Sequence, residues 1–73
     1  MKLKPQQLQL ALSENIKKYR KAQGLSQEKL ALASGIDRSY MSEIERCLAN
    51  PSLDLLLKIS NALKIETSKL LEL

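Results

Sequence analysis

The chain contains no histidine, valine, phenylalanine or tryptophan, and Cys47 is its single cysteine. Each shortage removes a class of chemistry. Without an imidazole there is no histidine-based acid–base catalysis, and a zinc site, which needs several His or Cys ligands, is not expected. One cysteine cannot close a disulfide within the chain and fits a reducing compartment. With no valine and two tyrosines as the only aromatic residues, the β-favouring stock is too thin for a sandwich or barrel. No apolar run approaches the ~18 residues of a membrane span. The segment Met1-Lys2-Leu3-Lys4-Pro5 also lacks the apolar stretch of a signal peptide, so the expected location is cytoplasmic. No cluster has the layout of a nucleophile elbow, a P-loop or a metal site; no enzymatic activity, cofactor or metal is expected.

What is present points to helices. The 73 residues are 44% hydrophobic and 27% charged, and leucine alone supplies 16 of them. That is the balance of one small globular domain, 1–73, rich in the Leu, Ala, Lys, Glu and Gln that favour helix. A core this small gains from a partner chain. Charge is uneven. Residues 1–50 carry nine basic and five acidic side chains, whereas residues 51–73 carry three of each. A basic first part favours an anionic partner such as nucleic acid.

Punctuation divides the chain into five helical pieces. Pro5 suits a first helical turn, and Gln6 to Gln23 is helical in pattern, with Leu8, Leu12, Ile16 and Tyr19 within roughly 80° on the wheel. Gly24 suits the left-handed position beyond a helix end. Ser26 is placed as the N-cap of a second helix, Gln27 to Ser34, which Gly35 ends. Asp37 is placed as the cap of a third, Arg38 to Arg46. A short turn holding a glycine and the apolar Ile36 joins these two, which is a helix-turn-helix layout. Asn50 or Ser52 caps a fourth helix, Leu53 to Leu63, and a short fifth lies near Thr67 to Leu71.

Taken in order, Gly24-Leu25-Ser26-Gln27-Glu28-Lys29-Leu30-Ala31, Ser34-Gly35-Ile36, Met41-Ser42-Glu43-Ile44-Glu45-Arg46 and Asn50-Pro51-Ser52-Leu53 resemble the Cro/C1-type (XRE-like) helix-turn-helix family. The resemblance covers about Leu12 to Ile65. In length, and in the segment Asp37-Arg38-Ser39-Tyr40-Met41-Ser42, the chain is most similar to the controller proteins of restriction–modification systems. It implies an all-α, compact five-helix lambda-repressor-like domain. The helix-turn-helix would lie at about 26–46, and helices four and five, about 52–73, would serve the core and dimerisation. It further implies a bacterial or phage regulator that binds a pseudo-palindromic DNA operator as a homodimer, the third helix entering the major groove.

The residues of the third helix fit that role independently. With Arg38 at 0° on the wheel, Met41 and Ile44 fall near 300° and 240°, whereas Ser39, Ser42, Glu43 and Arg46 fall at about 40–140°. The outward face is short-chained and polar, so the helix can approach base edges, and Arg38 can reach guanine O6 and N7. Arg38, Ser39 and Glu43 are the expected base contacts. Glu43 either accepts from cytosine N4 or holds Arg38 or Arg46 as an ion pair. Ser26, Tyr40, Ser42 and Arg46 are expected at the DNA backbone, with Ser26 also an N-cap and Tyr40 also able to meet a thymine methyl or cover the core; the resemblance implies that Gln27 meets a phosphate. The resemblance implies a partly buried structural ion pair between Arg20 and Glu45.

Cys47 stands where the family commonly has glycine, at a position of positive φ. Either the turn differs or strain of roughly 1–2 kcal/mol is tolerated. Helices four and five are more apolar than one core face requires, and Leu55, Leu70 and Leu71 are the expected dimer contacts. The competing role is that of an antitoxin-type interaction module, which sequesters a partner protein and regulates its own expression.

Overall fold

The computed structural model describes residues 2–73, which form five helices: α1 (Pro5–Ala22), α2 (Gln27–Ser34), α3 (Arg38–Glu45), α4 (Leu53–Leu63) and α5 (Thr67–Leu70). The expected bounds of α2 and α4 are met; α3 and α5 each end one residue sooner than expected, and α1 both starts and ends one residue sooner. α2 packs against α3 and α4, α1 against α3 and α5, and α4 against α5. The fully buried apolar side chains at the junction include Ile16 of α1, Leu30 of α2, Met41 and Ile44 of α3, Ile59 and Leu63 of α4 and Leu70 of α5. Among the described residues no helix is long and apolar enough to cross a membrane.

The inward face of α1 is not the expected stripe. Leu12 and Ile16 are buried, but so is Ser13, and Leu8 is 38% exposed. Ser13 tolerates burial because its Oγ donates to the Leu10 carbonyl at 2.8 Å. Three side-chain amides, two on α1 and one at its C-cap, then hold distant backbone. Gln9 Nε2 donates to the carbonyls of Cys47 and Ala49, at 3.3 and 3.0 Å. Asn15 Nδ2 donates to those of Leu70 and Glu72, at 2.9 and 2.8 Å, and Gln23 Nε2 to that of Leu63 at 2.6 Å. These bonds satisfy carbonyls at the ends of α4 and α5 and in the segments after α3 and α5, where helical partners run out.

α1 to α4 all terminate in the same left-handed motif. One residue near each end takes positive φ, and the N–H of the next residue returns to a carbonyl in the last turn: Leu25 to Arg20 at 3.0 Å, Ile36 to Ala31 at 2.9 Å, Leu48 to Glu43 at 2.8 Å and Ile65 to Ser60 at 3.0 Å. The left-handed residue is Gly24 and Gly35 in two of these, but Cys47 (φ 62°) and Lys64 (φ 58°) in the others. The turn after α3 therefore keeps the geometry that favours glycine, and the cysteine bears the strain. Leu25, Ile36 and Ile65 lie against the core, whereas Leu48 is 65% exposed.

Caps also divide. Ser26 Oγ accepts from the Lys29 N–H at 3.0 Å, and Ser52 Oγ, not Asn50, accepts from the Leu55 N–H at 3.2 Å. Asp37 occupies the N-cap position of α3, but its side chain bonds no N–H there. Leu70, expected at a dimer interface, is a core residue. The single turn of α5 points it inward to 0% exposure, and Asn15 fixes its carbonyl.

Cys47→Gly is expected to stabilise the fold by about 1 kcal/mol, the relieved left-handed strain less the greater freedom of glycine in the unfolded chain. In a domain of this size that raises Tm by about 4–8 °C. A lower Tm shows that the cysteine side chain contributes packing that outweighs the strain.

Candidate nucleic-acid interface

α3 is fastened to the scaffold from one side. Glu45 is 3% exposed, and its carboxylate receives the Arg20 guanidinium through two bonds, Nε to Oε2 at 2.6 Å and Nη2 to Oε1 at 2.9 Å. Arg20 Nη1 donates to the Leu25 carbonyl at 2.8 Å, in the turn between α1 and α2. Gln27, the first residue of α2, adds Nε2 to Glu45 Oε1 at 2.9 Å. A two-pronged guanidinium–carboxylate pair fixes angle as well as distance. Arg20, Gln27 and Glu45 thus tie α1, the turn after it, α2 and α3 into one unit.

The opposite face of α3 is open. Arg38, Ser39, Glu43 and Arg46 are exposed, Ser42 is half-buried, and with Gln27 these residues line one shallow cleft of about 320 Å³. Arg46 folds back on its own helix, Nε donating to the Ser42 carbonyl at 3.4 Å, which leaves its terminal nitrogens outward. Glu43 forms no ion pair with Arg38 or Arg46 among the described residues, so its carboxylate is free to accept. Tyr40 lies on the flank, half-buried against the core. Ser26 sits exposed at the N-terminus of α2. Its Oγ already accepts from Lys29, so the N-cap and the outward hydroxyl proton are compatible roles. Among the described residues no group of His, Cys, Asp and Glu could hold a metal ion.

Residues 16–70 match the helix-turn-helix family. The chain belongs to that family. It is similar to the control protein C.SmaI of Serratia marcescens, 42% identical over 60 residues that make up 82% of this chain and 71% of the relative. The crystal structure of the restriction–modification controller protein C.AhdI from Aeromonas hydrophila shares 44% identity with a TM-score of 0.83, over 85% of this chain and 94% of that one. The transcriptional regulator SinR of Bacillus subtilis is 42% identical over 62 residues, and this chain spans just over half of it, 56% of its length. The structure of SinR in complex with DNA matches with a TM-score of 0.80, over 84% of this chain and 98% of that chain.

Within this helix-turn-helix domain the site holds contacts that the sequence reading did not anticipate. The phosphate contact that the resemblance implies for Gln27 says nothing of Glu45, yet one amide proton is committed to that carboxylate, leaving the second for an outside acceptor. Asp37 turns from its cap position and accepts the Ser39 hydroxyl at Oδ2. The visible signal for the second contact is the Asp-x-Ser spacing at a helix start, where short polar side chains compete for the same backbone groups.

Arg20→Ala is expected to cost about 3–5 kcal/mol, because it strands a buried carboxylate. Arg20→Met combined with Glu45→Leu removes both charges and is expected to cost less than either single change. Urea denaturation of Arg20→Ala, Arg20→Met, Glu45→Leu and the double variant measures this; a double variant that costs the sum of its two single changes shows that the two side chains act independently.

Proposed function

We propose that this chain is a sequence-specific double-stranded DNA-binding transcription regulator that acts as a homodimer, of the restriction–modification controller type. The observation that carries the proposal is the short-chained polar face of α3, open on one side and locked to the scaffold on the other. An α-helix with its side chains is ~10–12 Å across, and the major groove is ~12 Å wide. The controller and regulator relatives, and the SinR structure with DNA, support the reading. They also disfavour the antitoxin role.

In this mechanism Arg38 donates to guanine O6 and N7, and Glu43 accepts from a base amino group. Ser26, Tyr40, Ser42 and Arg46 meet the sugar–phosphate backbone. The second amide proton of Gln27 reaches a phosphate while the first holds Glu45, so a backbone contact bears directly on the recognition helix. The protein works in the bacterial cytoplasm as one domain, with α2 and α3 reading and α4 and α5 completing the core.

One α3 covers few base pairs, so two copies related by a two-fold axis place their α3 helices about 34 Å apart on one DNA face. Of the expected contacts only Leu70 is buried in the core, and the apolar surface beside the other two is wider than they alone. Leu55 and Leu71 are half-buried, whereas Leu53 is 78%, Leu57 51% and Leu73 76% exposed. Leu53 and Leu71 share a groove with Leu8, Leu12 and Leu56, which also accounts for the exposed edge of Leu8.

Titration of an operator fragment with salt tests the first part. Affinity is expected to fall steeply as counterions return to the phosphates, and Arg46→Ala to reduce the slope by about one. Affinity independent of salt sinks the mechanism. Arg38→Ala is expected to cost about 1–3 kcal/mol of discrimination at one base pair per half-site. An equal loss on operator and random DNA reassigns Arg38 to the backbone.

Leu53→Glu is expected to give a folded monomer with weak operator binding, by sedimentation and circular dichroism. Persistence of the dimer places the interface elsewhere.

A further inference from the structure

We propose that Asp37 is a positioning residue that makes Ser39 read a base carrying an exocyclic amino group, adenine or cytosine, at its place in the operator. The inference rests on the DNA-binding reading and narrows it to one base class. Ser39 is the second residue of α3, exposed on the polar face and lining the cleft with Arg38 and Glu43. Its Oγ lies 2.5 Å from Asp37 Oδ2.

An ionised carboxylate has no proton to give, so the proton in this bond belongs to the serine. A serine hydroxyl has one proton and two lone pairs. With the proton spent on Asp37, Ser39 presents only lone pairs to whatever faces it. Serine alone is an ambiguous reader, able to donate or accept. Bound to Asp37 it is an acceptor.

In the major groove the partners for an acceptor are adenine N6–H2 and cytosine N4–H2. Guanine O6 and N7 and thymine O4 are themselves acceptors and are repelled. The carboxylate behind the hydroxyl strengthens the preference, since its charge attracts an amino group and repels a carbonyl oxygen. Asp37 is free for this because it makes no cap bond to the N–H groups of α3. The face then divides by chemistry: Arg38 supplies only donors, whereas Ser39 and Glu43 supply only acceptors.

The test uses the full chain. Randomised operator half-sites are selected with the wild-type protein and with Asp37→Ala, Asp37→Asn, Ser39→Ala and the Asp37→Ala/Ser39→Ala double variant. Helical circular dichroism and thermal melting of each confirm folding. Wild type is expected to enrich adenine or cytosine at the Ser39 position. A synthetic site that lacks that amino group, with purine for adenine or 2-pyrimidinone for cytosine, is expected to bind about threefold to tenfold more weakly, the worth of one hydrogen bond. Asp37→Ala frees the hydroxyl proton and is expected to erase both the enrichment and the penalty of the analogue. Asp37→Asn keeps an acceptor oxygen for Ser39 and is expected to restore the preference, while binding all sequences more tightly through the lost negative charge.

If Asp37→Ala tightens binding to every sequence and leaves the enriched bases unchanged, Asp37 is only a surface charge and the proposal is overturned. The same holds if Asp37→Ala alters base preference equally with and without Ser39. Wild-type protein that enriches no sequence at all overturns the DNA-binding reading itself, an outcome distinct from both.

Discussion

The buried pairing of Arg20 with Glu45 is the constraint on which the rest of the molecule depends. α3 has eight residues, about 12 Å of helix, too short to be stable or oriented by itself. Its apolar contacts, Met41 and Ile44, resist removal from the core but only weakly resist rotation about the helix axis. A guanidinium with two parallel bonds to one carboxylate resists that rotation. Replacing such a pair by apolar residues often preserves or raises stability, so its role here is orientation: it decides which side of α3 faces outward. The polar face, the cleft beside Gln27 and the attitude of α3 to α2 all follow from that choice.

Much of the chain's organisation is legible before folding because its signals are local. Gly24 and Gly35 favour positive φ by themselves, and Ser26 and Ser52 need only the N–H three residues onward. The wheel of α3 is also local and separates Met41 and Ile44 from Ser39, Ser42 and Glu43. Glu45, 100° beyond Ile44 on that wheel, lies beside the buried face, and the family resemblance supplies its partner.

The illegible features are those in which a side chain chooses between partners. Asp37 could have capped α3 or taken the Ser39 hydroxyl, and the sequence permits both. Leu70 and Leu71 differ only in which side of one short turn they occupy, a matter settled by where α5 lands on α1. The face of α1 was misjudged at Leu8 and Ser13 because hydrophobicity alone does not register a serine that satisfies itself against its own helix. Gln9, Asn15 and Gln23 lie near the apolar stripe of α1, where an amide is out of place unless it has a distant carbonyl to meet. Those carbonyls are 38 to 57 residues away in sequence, so no short-range rule finds them.

The same amides have a consequence for how the protein responds to its solution. Long-range ties outside the core are made by neutral donors to neutral carbonyls, which neither titrate near neutral pH nor feel dissolved ions. The Arg20–Glu45 pair is ionic but buried, where mobile ions screen it poorly. The charged side chains on the outward face of α3, Arg38 and Glu43, and Arg46 at its end, are exposed to water. Ionic strength therefore acts on the reading face while leaving the frame behind it intact, and the grip on a polyanion can be loosened and restored without any part of the chain coming undone.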